Sequence, residues 1–417
     1  MITKISLVFI VILISLVIFV FIKTSQTIEV NDSDLIYWPQ KIDDRENAYI
    51  ALLPALRQIK EQKPYKQVEA IIKDEKVIDY SRVNQLINQH SAFLLALSES
   101  LELDSFQAPV EKDFYGPKIE RYAKEINFLH KLEFLNIKKL LHEGNMEAAS
   151  REILKLFKYG YLLQNSDSGL IYFMLGTIVK NSALNLTKDW VAKSNFDSAY
   201  YKKFLGGIEK YMDNNGIVNS YKMEYTAISN SLEGLVGHLI KGDKELWEKY
   251  RQNPIRMRYF YNENATRNEV ARYFRQEIKN LSGPYANIEH KEIYRPSNRF
   301  AKYLTLLTGN PFGKILLQQL VMPRFHHRVE QKFKMDAKCN LTKLLLALRA
   351  YYADTNSLPN SLEELVPNYI SKIPKDPFDD KELRYSKLEK IIYSVDSDMK
   401  DNQGDKERDF CIELNFY

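Results

Sequence analysis

The chain has 417 residues, of which 45% are hydrophobic and 27% are charged, and its formal net charge at pH 7 is +5. The apolar content excludes an intrinsically disordered chain, which cannot bury enough apolar surface to fold. Because the length exceeds the size at which a single hydrophobic core usually stops growing, two folded parts are expected. The small net charge gives no indication of a nucleic acid partner, and none is expected.

The first apolar segment runs from Ile5 to Ile22 and contains no charged residue. Its 18 residues lie within the roughly 17 to 25 that cross a bilayer, and they exceed the roughly 7 to 15 of a cleavable signal core. Lys4 precedes the segment and Glu29 follows it, which by the positive-inside rule places the rest of the chain outside the cytoplasm. The sequence therefore predicts a transmembrane anchor at residues 1–23, a spacer at 24–40, and a single-pass protein of the bacterial inner membrane.

The pattern between residues 41 and 322 is helical. No proline occurs between Pro117 and Pro254, which strands and loops over that length would rarely permit. Apolar residues at helical spacing predict one helix from Ile119 to Leu140 and a second from Met146 to Leu163, with Gly144 as the stop between them. The sequence thus predicts a helical bundle that contains an antiparallel helical hairpin.

A further segment, Leu170 to Val179, is apolar on nearly all sides of a helix. Its ten residues before Lys180 are too few to span a membrane. We therefore expect it to be the most buried helix of the bundle.

No catalytic motif stands out in the sequence. The seven histidines form neither His-Glu-x-x-His nor Glu-x-x-His, so no zinc or di-iron site of those types is present. The best acid–base candidates are Glu224, Glu233 and His238, which lie on one proline-free helical segment. Since Glu224 and Glu233 point to opposite sides of a helix at their spacing, ordinary polar positions are the favoured interpretation.

Residues 323–417 are predicted to form a small α+β module. A long helix is indicated by an apolar stripe at helical spacing, made of Leu341, Leu344, Leu345, Leu348 and Tyr352. Prolines then interrupt the chain. Runs rich in β-branched and aromatic residues predict a hairpin and a third strand at Leu383–Ser386, Ile391–Val395 and Phe410–Leu414.

An acidic loop, Asp396 to Asp409, precedes the third predicted strand and holds six carboxylates. Such a density of negative charge is repulsive unless water or a hard cation separates the groups, and oxygen-rich flexible loops are typical of calcium sites. The alternative is a solvated loop whose charge is partly neutralised by its own lysines and arginine. The candidate ligands for Ca²⁺ are Asp398, Asp401, Asp405 and Asp409.

The C-terminal residues also carry a resemblance to a known family. The motifs are Leu358-Pro359, Leu362–Pro367, Ile373–Phe378, Leu383-Arg384-Tyr385 and Tyr393–Val395 followed by Asp398. In this order they resemble the globular domain of the type II secretion major pseudopilins. The resemblance implies a long helix on a short antiparallel sheet and a calcium-binding aspartate-rich loop, in which Asp398 and Asp409 match two aspartate positions. The whole arrangement is similar to uncharacterised bacterial membrane-anchored helical proteins.

The chain has two cysteines, Cys339 on the predicted long helix and Cys411 on the last predicted strand. An oxidising compartment would permit a disulfide between them, and a pseudopilin-like fold would bring the helix and the strand together. Two buried free thiols are the other interpretation, because the sequence does not show whether the Cα atoms approach within about 7 Å.

Charge is distributed unevenly along the chain. Residues 251–338 contain 17 Lys plus Arg against 7 Asp plus Glu, whereas residues 339–417 contain 11 against 15. The basic segment suggests an anionic polymer or an acidic envelope protein as partner, and solvated helix faces are the simpler reading. The function expected is a non-enzymatic, membrane-anchored envelope protein that presents the helical body and the module to a partner. The alternative is an envelope hydrolase with its site in the helical body.

Overall fold

The computed structural model describes residues 14–15, 19, 28–73, 78–110, 122–232, 234, 261–289, 310–321, 325 and 327–416. Within these ranges the protein is mainly helical, with one small antiparallel sheet. The helices are α1 Ala48–Gln62, α2 Tyr65–Lys73, α3 Tyr80–Gln89, α4 Ser91–Ser100, α5 Ala123–His142, α6 Met146–Gln164, α7 Leu170–Lys193, α8 Ser198–Glu209, α9 Ile217–Asn230, α10 Glu263–Ser282, α11 Pro311–Leu316 and α12 Arg328–Thr355. The strands are β1 Arg384–Ser386, β2 Ile391–Ser394 and β3 Phe410–Glu413.

The predicted membrane anchor requires a correction. No helix in the described ranges is long and apolar enough to cross a membrane. Ile5–Ile22 lies outside those ranges except for three residues, and α7, a long and largely apolar helix, carries Lys180 in its middle. We therefore correct the transmembrane part of the predicted fold class, together with the single-pass placement in the bacterial inner membrane.

Residues 28–40, predicted as a spacer, lie along α9 and α10. The Asp32 carboxylate accepts hydrogen bonds of 2.6 Å from Tyr225 Oη and from Arg267 Nε. Leu35 is buried in the same core as α9 and α10. Because a buried aliphatic side chain and a paired carboxylate both fix this segment, it is part of the packed body.

The predicted helical hairpin is confirmed as α5 and α6. The chain reverses at Gly144, whose φ of 76° lies in the left-handed region that glycine enters without steric cost. Asn145 caps α6 by accepting a hydrogen bond from the backbone N–H of Ala148. The next helix, α7, packs closely on α6 through Gly160 and Gly176, since a Cβ added to Gly176 would lie 2.5 Å from the carbonyl oxygen of Gly160.

The prediction that Leu170–Val179 is the most buried helix is wrong. The segment is the first part of α7, and the side chains of Ile171 and Ile178 are 42% and 47% exposed. One face of α7 packs against α5 and α6, while the opposite face stays apolar without full cover. An apolar side chain on every face therefore does not mean burial on every face.

The C-terminal module has the predicted long helix on a three-stranded sheet. The strand order is β1-β2-β3, both pairs are antiparallel, and Ile392 lies opposite Ile412. Helix α12 ends at Thr355, followed by Asn356 in the left-handed conformation with φ 53°. The predicted strands and the end of the helix are confirmed.

Helix α12 belongs to the module and to the helical body at once. It packs against α7 and α8 on one side and against β2 on the other. One continuous hydrophobic core contains Leu156 of the body, Leu345 of α12 and Ile392 of the sheet. In addition, Arg349 is buried and donates a hydrogen bond of 2.6 Å to the carbonyl oxygen of Ser194. The core therefore continues across the boundary that the sequence places at residue 323.

Candidate functional site

The acidic loop of the module folds on itself. Each of three exposed or half-exposed carboxylates accepts a hydrogen bond from a backbone N–H two residues further along the chain. The pairs are Asp398 with Lys400 at 3.0 Å, Asp401 with Gln403 at 2.9 Å, and Asp405 with Glu407 at 2.9 Å. These are local turns of the kind that aspartate forms in loops. Asp401 also accepts a hydrogen bond of 3.1 Å from Tyr393 Oη and lies 3.8 Å from Arg384 Nε.

Asp409 holds the loop together. Its side chain is buried and accepts hydrogen bonds from the backbone N–H groups of Gly404 at 2.8 Å and of Asn402 at 3.4 Å. Gly404 has a φ of 81°, and a Cβ there would lie 2.2 Å from the Ile391 side chain. The turn therefore needs a glycine for both conformation and space.

The four aspartates predicted as calcium ligands are consequently not gathered around one point. No group of three or more histidine, cysteine or acidic side chains that could hold a metal occurs in the described part of the chain, which includes the entire loop. Calcium binding by Asp398, Asp401, Asp405 and Asp409 stays a prediction. For a cation to bind, these side chains would have to exchange their backbone hydrogen bonds for metal ligation.

A buried charged network lies between the acidic loop and α12. Asp376 is fully buried and accepts hydrogen bonds from the backbone N–H groups of Phe378 and Val395 and from Ser394 Oγ, at 2.9 to 3.1 Å. Arg384 donates to Asp376 at 2.7 Å and also pairs with Asp379. These bonds tie the proline-bearing connector to β1 and β2.

The two carboxylates of this network differ in acidity. Burial raises the pKa of Asp376, even though the backbone N–H groups, Ser394 and Arg384 all favour its charged form. Burial is also the largest single influence on Asp379 and acts in the same direction, but the hydrogen bond from Arg384, the backbone N–H of Lys381 and the charges of Arg384 and Lys381 together outweigh it and hold the pKa of Asp379 below its usual value. Arg384 therefore has at least one firmly ionised partner, and the network is a structural centre of the module.

The two cysteines are both free. Cys339 is buried on α12, and Cys411 is half-buried on β3, where its Sγ approaches the carbonyl oxygen of Gly404 at 3.4 Å. Burial raises the pKa of each thiol to about 11. Since the thiolate is the reactive form, neither cysteine is a nucleophile at neutral pH. Of the two interpretations that the sequence left open, the structure has the free thiols.

The acid–base candidates do not form a site in the described ranges. Glu224 is half-buried on α9. Glu233 and His238 lie outside the described residues. Convergence of the three side chains stays untested as a prediction.

A different pair of carboxylates does meet inside the helical body. Glu133 of α5 is buried, and burial together with the nearby charge of Glu152 raises its pKa to about 8. Lys155 lies 3.1 Å from Glu152. A carboxyl group kept protonated by burial next to a second carboxyl group is a pattern that acid–base enzymes use. However, the adjoining cavity of about 10 Å³ holds no more than about one water molecule, so it has no room for a substrate.

A larger cavity lies between α7, α9 and the first turns of α12. Its volume is about 240 Å³, slightly below the roughly 300 Å³ at which small-molecule sites commonly begin. Six lining side chains are apolar, namely Leu170, Phe173, Met174, Ile178, Ile217 and Met335. The polar lining consists of Gln164, Thr177, Asn214, Arg328, Gln331 and Lys332.

Sequence analysis missed this cavity because its walls come from three helices that are distant in the chain. Two local signals were present. Ile171 and Ile178 are seven residues apart, which places them on one face of α7, and Arg328 and Lys332 are four apart, which places two cations on one face of α12. Neither signal shows that the two faces meet.

Comparison of the chain with family models, curated proteins and solved structures found no match. The resemblance to the pseudopilin globular domain therefore has no independent support, and it stays a prediction alongside the geometry described above.

Proposed function

We propose that this protein is a non-catalytic binding protein whose helical body and C-terminal module form one rigid unit that a partner protein recognises. The observation that carries the proposal is the position of α12, one helix that contributes to the core of both parts. A module attached in this way is held in a fixed orientation, which lowers the entropy lost when a partner binds.

The alternative of a hydrolase in the helical body has no comparable support. The neighbouring carboxylates Glu133 and Glu152 adjoin a cavity of about 10 Å³. The free thiols have raised pKa values of about 11 and are poor nucleophiles. Among the described residues, the small cavity and the weakly nucleophilic thiols agree better with a binding role than with hydrolysis.

The tip of the β1–β2 hairpin is the part of the module that we assign to the partner. Leu388 lies there with 88% of its surface exposed. Its neighbours Lys387, Glu389 and Lys390 are also exposed. An apolar anchor surrounded by polar side chains is the usual composition of the centre and rim of a protein interface.

Site-specific photocrosslinking in cells that make the protein tests the proposal. A photoreactive residue in place of Leu388 should give one discrete adduct with another protein. The same residue in place of Glu102, which is exposed in the turn just after α4, serves as the matched control and should give none. Diffuse labelling of the same proteins from both positions, or no adduct from position 388, would contradict the proposal.

A further inference from the structure

The cavity between α7, α9 and α12 has walls of two different kinds. The α7 and α9 sides are mostly apolar, with Phe173, Ile178 and Ile217 among the lining residues. The charged side chains that line it, Arg328 and Lys332, both come from α12 and are both positive. No acidic side chain is among the described residues that line the cavity. Its chemistry therefore matches a ligand with an apolar chain and an anionic end.

The two cations are not equivalent. Lys332 is paired with Asp336 at 2.8 Å on the same helix. Arg328 donates to Gln331 Oε1 at 2.8 Å and forms no ion pair with a carboxylate in the described part of the chain. A guanidinium can bind a carboxylate through two parallel hydrogen bonds. Because Arg328 is the first residue of the 28-residue helix α12, the positive end of the helix dipole adds to its attraction for an anion.

The uncovered face of α7 continues the apolar wall to the surface. Ile178 lines the cavity and is 47% exposed, and Ile171 lies on the same face with 42% of its surface exposed. Met174, between them, also lines the cavity. The apolar surface therefore extends from the interior of the cavity to its opening, where the chain of a ligand would enter.

We propose that this cavity binds a free single-chain carboxylate, a medium-chain fatty acid, with its carboxylate on Arg328 and its chain along Phe173, Ile178 and Met335. A volume of about 240 Å³ corresponds to roughly eight groups of the size of a water molecule, at ~30 Å³ each. A chain of about eight to ten carbons fills this space, whereas a lipid with two chains does not fit. This site goes beyond the proposed partner-binding function and is independent of the β1–β2 hairpin.

Isothermal titration calorimetry of the full chain with decanoate, below its micelle concentration, tests the proposal. One molecule should bind per chain. Arg328→Gln should weaken binding about 10- to 100-fold, as expected for loss of a charge-assisted, bidentate hydrogen bond. Decanol should bind to the unmodified protein about as weakly as decanoate binds to the variant. Arg151→Gln is the matched control, because Arg151 lies on α6 in an exposed ion pair with Glu147, and it should leave the affinity unchanged.

A second variant tests the apolar wall. Ile178→Trp places a larger side chain at the half-exposed opening of the cavity and should reduce decanoate binding at least tenfold, with the melting temperature nearly unchanged. Binding of many molecules per chain, equal affinity for decanol and decanoate, or equal affinity in Arg328→Gln and the unmodified protein would overturn the proposal. None of these results depends on whether Leu388 contacts a partner protein.

Discussion

The C-terminal module contains two groups of carboxylates that the chain satisfies in opposite ways. In the loop from Asp396 to Asp409, the predicted metal ligands Asp398, Asp401 and Asp405 each accept a hydrogen bond from the backbone two residues away. In the network around Arg384, the buried carboxylate of Asp376 accepts bonds from four donors on four different residues.

The difference shows that the density of acidic residues in the sequence is a poor guide to convergence in space. The loop is conspicuous in the sequence, yet Asp398, Asp401 and Asp405 each form a local turn, and Asp401 also contacts Tyr393 and Arg384. Asp376 stands out only as part of a proline-bearing connector, yet it joins the connector to β1 and β2. Four experiments, three with substituted proteins and one with added calcium, test this contrast.

The largest effect is expected from Asp376→Ala. The change leaves the partly buried Arg384 with one carboxylate fewer and removes the acceptor of two backbone N–H groups, so it should lower the free energy of unfolding by about 3–5 kcal/mol. Urea unfolding of the full chain measures this quantity. Glu413→Ala is the control, because Glu413 is an exposed carboxylate paired with Lys406, and surface ion pairs contribute little to stability. Equal losses in both variants would show that the network is not a structural centre.

Glu133→Gln tests a buried carboxylate that, among the described residues, has no ion-pair partner. Because burial raises the pKa of Glu133 from 4.5 to about 8 in the folded protein, its contribution to stability is fully present below pH 4.5 and is lost as the pH rises to 8. The slope is at most ~1.4 kcal/mol per pH unit. The variant should lose less stability than the unmodified protein between pH 5 and pH 8 in urea unfolding. Parallel pH profiles for the two proteins would contradict this expectation.

Asp409→Ala tests whether one residue organises the acidic loop. The change leaves the partly buried backbone N–H of Gly404 without its acceptor, which should lower the free energy of unfolding by about 1–3 kcal/mol. Asp398→Ala in the same loop removes an exposed turn bond and should cost less than about 0.5 kcal/mol. If thermal unfolding finds the same loss for both, Asp409 has no special role.

The smallest effect is expected from calcium. The aspartates of the loop already have hydrogen-bond partners and are not gathered in a common site, so saturating Ca²⁺ should shift the melting temperature by less than about 2 °C. A shift of several degrees that magnesium does not reproduce and that Asp398→Ala removes would show that the loop rearranges around the ion. The contrast with the Arg384 network would then hold only for the metal-free protein.

Much of the fold could be predicted from the sequence, because its signals are local. The hairpin of α5 and α6 follows from apolar periodicity and Gly144, and the strands follow from β-branched and aromatic runs between turn residues. The burial of α7 could not be predicted in the same way. Periodicity shows which faces of a helix are apolar, whereas burial depends on which neighbours cover those faces, and the faces of Ile171 and Ile178 are not covered.

The candidate sites were harder to predict than the fold. A cluster such as Asp398, Asp401, Asp405 and Asp409 is visible in the sequence because its members are close in the chain. The cavity bounded by Phe173, Ile217 and Arg328 is not visible, since Phe173 and Arg328 are 155 residues apart in the chain. A charge on one helix and an apolar face on another become a site only through tertiary packing.

The position of α12 also affects how the nascent chain folds during synthesis. Helix α12 covers α7 and α8, yet it is synthesised long after them. At about 5–20 residues per second, α12 is completed some 7 to 30 s after α8 leaves the peptidyl-transferase centre. Until then, the apolar faces of α7 and α8 that later pack against Leu345 and Leu348 are uncovered. The carbonyl oxygen of Ser194 also lacks the hydrogen bond that Arg349 later donates. The helical body therefore completes its folding only when nearly all of the chain has been synthesised. A chaperone that binds the uncovered faces of α7 and α8 would act during that interval.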